Sequence, residues 1–63
     1  MTQKKSVGVK IGAYLKYQRE KRKLSLVEFG KLLDIDASFL HRLEKGYYQS
    51  VSLDAIEKIT NGL

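Results

Sequence analysis

Sixty-three residues without cysteine or proline allow one domain at most, with a small core that no disulfide or thiolate-held metal supports. No apolar run approaches the ~20 residues needed to cross a bilayer, and the polar N-terminal stretch lacks a signal-peptide core, so a soluble, cytoplasmic chain is expected. The net charge of +5 is uneven: residues 1–23 carry eight cations against Glu20 alone, and residues 24–63 carry four cations against six anions.

A basic end of this kind reads either as a solvated face or as attraction to a polyanion, whether nucleic acid or an anionic membrane. Residues 1–8 read as a flexible basic arm carrying Lys4 and Lys5. From about Val9 to Arg22, Ile11 and Leu15 recur at helical spacing beside Tyr14, which predicts a first helix. Ser25 opens a second, because Glu28 follows three residues later and the two side chains satisfy each other's backbone donors as a capping box. Leu26, Phe29, Leu32 and Leu33 give that helix its apolar face. It must stop near Asp34, since aspartate tolerates the left-handed conformation of a tight turn. Asp36 caps a third helix, Ala37 to Lys45, which Gly46 ends. Ser52 precedes a fourth, Leu53 to Asn61, with Ala55, Ile56 and Ile59 inward and Gly62 as its stop. No segment alternates with period two for long enough to form a strand. The expected class is all-α, four short helices.

A turn of about three residues joins the second and third helices. That is too short for antiparallel packing and suits the steep crossing of a helix-turn-helix. Counting Leu26 as the first residue of the unit, Phe29, Leu33, Ile35, Leu40 and Leu43 fall at places four, eight, ten, fifteen and eighteen, where the helices and turn must bury side chains together. Gly30, at place five, lies where the helices come too close for a large side chain. The stretch from Leu24 to Gly46 resembles the helix-turn-helix of the Cro/CI (Xre-type) phage-repressor family. Arg19, six residues before Ser25, matches the arginine ending that family's first helix, and Glu44-Lys45-Gly46 matches its Glu-x-Gly signature. Ser52 with Leu53, and Gly62 with Leu63, match the start and end of its fourth helix. The resemblance spans residues 11–63. It departs at Leu26, where a phosphate-touching glutamine is frequent, at Asp34 in place of a turn glycine, and at Asp36 in place of a serine or threonine near the DNA backbone. A carboxylate beside phosphates is unfavourable there. The resemblance implies a repressor-like helix-turn-helix bundle over residues 9–63 that lacks the family's usual fifth helix. Such a chain is either a fragment of a longer protein or a domain whose core closes in another way. Ile56, Ile59 and Leu63 are then expected to be incompletely covered.

The implied function is sequence-specific DNA binding by a repressor-type transcriptional regulator, acting as a homodimer on a palindromic operator in double-stranded DNA. With Leu40 and Leu43 inward, Ala37, Ser38, His41 and Arg42 face out and are the candidate base readers. Arg42 suits a guanine edge, Ser38 donates or accepts, and Ala37 suits a thymine methyl. Phe39 reaches a methyl or packs against the second helix. The resemblance puts Lys45, Tyr47, Tyr48 and Gln49 along the phosphate backbone. One of the two tyrosines is expected to cap the core instead, and Lys4 and Lys5 either reach the DNA as a basic arm or form a disordered tail. It also implies a structural ion pair between Arg19 and Glu44. The rival is a protein-interaction module, an antitoxin or adaptor, using the third helix's face with an exposed Phe39 and the paired tyrosines. A membrane partner is not expected, because Tyr14 and Tyr17 give the first helix too little apolar area. His41 is the only histidine, which argues against a transition-metal site. Asp34, Asp36 and Ser38 imitate the start of a calcium loop, but Phe39 and Lys45 stand where its glycine and glutamate belong. No nucleophile–base–orienter trio or glycine-rich phosphate loop is evident, so neither an enzyme, a cofactor nor a small-molecule ligand is expected.

Overall fold

The structure is a computed structural model that describes residues 6–63; the candidate arm residues Lys4 and Lys5 lie outside the described residues. Four helices follow one another: α1 (Val7–Lys21), α2 (Leu26–Leu33), α3 (Ala37–Glu44) and α4 (Leu53–Gly62). Among the described residues there is no strand, and no helix is long and apolar enough to cross a membrane. α1 begins two residues earlier than the apolar spacing predicts, so Val7 and Gly8 belong to the helix and not to the arm. The cause is Ser6, whose hydroxyl accepts from the Val9 N–H at 3.2 Å and caps the first turn. α1 closes through Lys23, which takes the left-handed conformation at φ 58°, while the Leu24 N–H donates back to the Arg19 carbonyl at 3.1 Å.

The caps of the other helices are those that the residue spacing predicts. In α2 the Glu28 N–H donates to the Ser25 hydroxyl at 3.0 Å, and the Ser25 N–H donates to the Glu28 carboxylate at 2.8 Å. Asp34 ends α2 at φ 60°, ψ 45°, and the Ile35 N–H returns to the Gly30 carbonyl at 2.8 Å. One carboxylate oxygen of Asp36 accepts from the Ser38 and Phe39 N–H groups at 2.9 and 3.2 Å, which starts α3. Ser52 does the same for α4 through the Ala55 N–H. α3 and α4 each end within one residue of the expected place.

Leu15, Phe29, Leu33, Leu40, Leu43 and Ile59 form the core, drawn from all four helices. α1 packs on α3, and α2 packs on both α3 and α4. Ile59 points inward as its spacing predicts and is buried rather than incompletely covered, because α4 packs on α2 with its last turn on Leu32 and Leu33. Ile56 is half-buried and Leu63 is 37% exposed, as expected.

Two close approaches set how the helices meet. At Gly30 an added Cβ would lie 2.5 Å from the Ile35 carbonyl oxygen, which is the crowding expected at place five of the unit. At Gly12 an added Cβ would run into the carbonyl oxygen of Leu43, and at Gly8 into that of Tyr48. α1 thus lies with a bare strip, Gly8 and Gly12, directly on the C-terminal end of α3 and the loop after it. The Gly8 N–H, which has no partner within its own helix, donates to the Gln49 carbonyl at 2.9 Å across this contact.

The same seam carries the expected ion pair. Arg19 donates from Nε to both carboxylate oxygens of Glu44, at 2.9 and 3.2 Å, and from a terminal nitrogen to one of them at 3.0 Å. Its other terminal nitrogen donates to the Leu24 carbonyl at 3.1 Å. The hydrogen bonds to Glu44 lift the Arg19 guanidinium above its ordinary pKa, outweighing the burial that would lower it. Only 18% of the Arg19 side chain and 5% of the Glu44 side chain remain exposed, so the pair belongs with buried bridges.

Two predictions follow from this seam. Removing one member of a buried pair costs about 3–5 kcal/mol, while a domain of this size has a net stability of only about 3–9 kcal/mol. Glu44→Ala should therefore leave the chain unfolded at ambient temperature or lower Tm by at least about 10 °C, read by thermal circular dichroism. An unchanged Tm would mean that the pair contributes nothing. For Gly12→Ala, helix propensity alone predicts a gain of about 1 kcal/mol. The collision with the Leu43 carbonyl predicts instead a net loss of about 1–3 kcal/mol in urea unfolding. A stabilised variant would show that α1 and α3 are not in such close contact.

Candidate nucleic-acid interface

α2, the turn and α3 present two different sides. Phe29, Leu33, Leu40 and Leu43 are at most 1% exposed and hold the unit against α1 and α4. The opposite side of α3 carries Ser38, His41 and Arg42 exposed and Ala37 half-buried. This is the outward set that the inward leucines predict. Leu26 and Val27 at the start of α2 join them to form an open groove of about 370 Å³, with Ala37, Ser38, His41 and Arg42 as its other walls.

Arg42 is not a free cation in this groove. Its Nε–H donates to the Tyr48 hydroxyl at 2.8 Å, and that bond, chiefly, raises the guanidinium above its ordinary pKa. The Tyr48 ring in turn packs on Phe39, with centroids 5.1 Å apart and planes inclined at 38°. The local chain path explains the meeting. Gly46 takes φ 81°, the Tyr47 N–H donates back to the Arg42 carbonyl at 3.1 Å, and the chain doubles back so that residue 48 faces residue 42.

The candidate backbone residues therefore divide. Tyr48 is the tyrosine that packs against the core, as expected of one of the two, and its hydroxyl is engaged by Arg42. Tyr47 is 69% exposed, and Lys45 and Gln49 are exposed beside it. Phe39, left between a methyl contact and packing on α2, is half-buried and stacks on Tyr48. Asp36 turns a carboxylate oxygen into the amides of α3, so part of its charge is matched by the helix N-terminus.

One residue on this side escaped the sequence reading. Lys16 lies beside Leu26, His41 and Lys45 around a small cleft of about 190 Å³. It sits on α1, three residues before Arg19, so the Arg19–Glu44 pair brings it over the end of α3. The signal was there in the helical spacing between Lys16 and Arg19, but only the pairing of Arg19 says which way that face turns. Lys16 and Lys45 enter no salt bridge among the described residues. No group of three histidine, cysteine, aspartate or glutamate side chains placed to hold a metal occurs among the described residues.

No curated protein and no solved structure is detectably similar to the chain. A family described as helix-turn-helix domain matches residues 10–63, which takes in most of α1, the whole α2–turn–α3 unit and α4. With that match and the observed helix order, the chain belongs to the helix-turn-helix domain family.

Proposed function

We propose that the chain binds double-stranded DNA sequence-specifically as an Xre-type, repressor-like transcriptional regulator, with α3 in the major groove. The observation that carries this reading is the outward face of α3, where Ser38, His41 and Arg42 stand exposed on a helix whose opposite face is locked into the core. A helix so held enters a major groove without unfolding, and its polar side chains meet base edges. Arg42 takes a guanine, Ser38 and His41 take neighbouring base edges, and Ala37 with Val27 offers apolar contact to a thymine methyl. Lys45, Lys16, Tyr47 and Gln49 line the flanks as phosphate contacts, which position the helix and add affinity that falls with salt. Binding is as a homodimer on a palindromic site, with half-sites about one helical turn (~34 Å) apart.

The protein-interaction reading needs Phe39 exposed on α3. Phe39 is half-buried against Tyr48, which favours DNA as the partner. The deciding experiment is selection of bound sequences from a random duplex pool, followed by affinity measurements over a range of salt. Enrichment of a palindrome with steep salt dependence supports the proposal. Flat, weak binding to every duplex gives the face to a protein partner.

The two kinds of contact separate by mutation. Arg42→Ala should cost about 1–3 kcal/mol on the selected site and relax preference at one base pair, the loss expected for a bidentate guanine contact. Lys45→Ala and Lys16→Ala should each weaken binding to all sequences alike and reduce the salt slope by about one unit. Equal loss from Arg42→Ala on selected and scrambled duplexes would assign that residue to phosphate and leave base reading to Ser38 and His41.

A further inference from the structure

We infer that Tyr48 is a positioning residue for base recognition: it holds Arg42 in a preset orientation through its hydroxyl and touches no DNA itself. The inference rests on the DNA-binding reading above and adds to it the device that gives Arg42 its selectivity. A free arginine at an exposed helix position samples many rotamers, and ordering it at the moment of binding takes affinity away from the specific complex. Here the side chain is ordered beforehand. Nε–H is committed to the Tyr48 hydroxyl at 2.8 Å, and Nε is the nitrogen nearest the stem, so both terminal NH2 groups remain as a fork. That fork is the part that matches the two acceptors on a guanine edge.

The hydroxyl is itself held. The Tyr48 ring stacks on Phe39 at 5.1 Å and packs against the core, and its backbone lies under α1 at the Gly8 contact. The chain of support runs from the core through Phe39 and Tyr48 to the guanidinium. The Tyr48 hydroxyl accepts from Arg42 and its ring lies against Phe39, which sets Tyr48 apart from the exposed Tyr47 one residue before it. The geometry thus separates the two tyrosines: Tyr47 positions the domain on DNA, and Tyr48 positions a reader within the domain.

Tyr48→Phe removes the hydroxyl and keeps the ring on Phe39. The probes are a duplex selected by the parent chain, its single-base variants at the position that Arg42 reads, and a scrambled duplex of equal length. The expected result is a loss of about three- to tenfold on the selected duplex, the scale of one newly immobilised side chain. Discrimination among the single-base variants should shrink by the same factor, with Tm, scrambled-duplex affinity and salt slope unchanged. In an Arg42→Ala background, the same substitution should have no further effect, since the two residues act as a unit. In the unbound parent, the Arg42 Nε–H should give a slowly exchanging, ordered NMR signal that Tyr48→Phe abolishes. Equal weakening on every duplex, or a full effect retained in the Arg42→Ala background, would overturn the inference and make the Tyr48 hydroxyl a DNA contact. Unchanged discrimination in Tyr48→Phe would overturn it as well, with DNA binding itself intact. A parent chain that selects no sequence and binds no duplex with salt dependence fails the DNA-binding reading, and this inference falls with it.

Discussion

The close approach of α1 to the end of α3 is the constraint on which the rest of the structure depends. Gly8 and Gly12 leave no side chain between the helices, so the α1 backbone reaches the Leu43 carbonyl and the loop after α3. Once the backbones are that close, Arg19 falls within reach of Glu44, and the pair closes the seam with three hydrogen bonds. Two charges largely taken from water need this geometry, because desolvation offsets much of their attraction unless every donor finds a partner. A further Arg19 donor finds one at the Leu24 carbonyl, which ties the exit of α1 to the entrance of α2.

This seam determines the direction in which α3 presents its outer face. α3 has only eight residues, too few to hold a helical conformation alone. Its order comes from Asp36 at one end, from Leu40 and Leu43 in the core, and from the α1 contact at the other end. A recognition helix is useful only if its side chains arrive in register with base edges, and rigid support lowers the entropy lost on binding. The exposed residues on α3 are therefore presented by a helix whose opposite face is buried in the core. Mutations at Gly12 or Glu44 would disturb how α3 is presented without altering its outer face.

The acidic residues near this face have local work. Asp36 spends a carboxylate oxygen on the α3 amides, and Asp34 supplies the left-handed turn while lying 3.8 Å from Lys58. Asp34 is exposed, so that ion pair contributes about 0–1 kcal/mol at most. The positive side of the molecule is concentrated on α1 and its exit, where Lys16 shares a cleft with His41 and Lys45 of the α3 end. In the proposed reading, long-range attraction to a polyanion falls to α1 and base reading to α3.

What the residues alone determined is local. Ser25 with Glu28, Asp34, Asp36 and Ser52 act through neighbours two to four positions away, and their caps, the turn between α2 and α3 and the inward leucines are legible without any tertiary contact. The Arg19–Glu44 pair came from family resemblance, since nothing in the spacing of two residues 25 positions apart requires them to meet. Tertiary structure alone decided the rest. Gly8 and Gly12 read as punctuation in the chain, and only the α3 backbone lying on them makes them a packing surface. Tyr48 reads as one of two equivalent loop tyrosines until the Gly46 turn brings its hydroxyl to Arg42. Lys16 reads as one lysine among many until the Arg19 pair turns its face toward Lys45. Ile59 reads as an inward position left incompletely covered until the packing of α4 on α2 buries it. Capping and periodicity are governed by helix geometry over one turn, whereas these contacts depend on how separate helices pack, and that is settled only when the core forms.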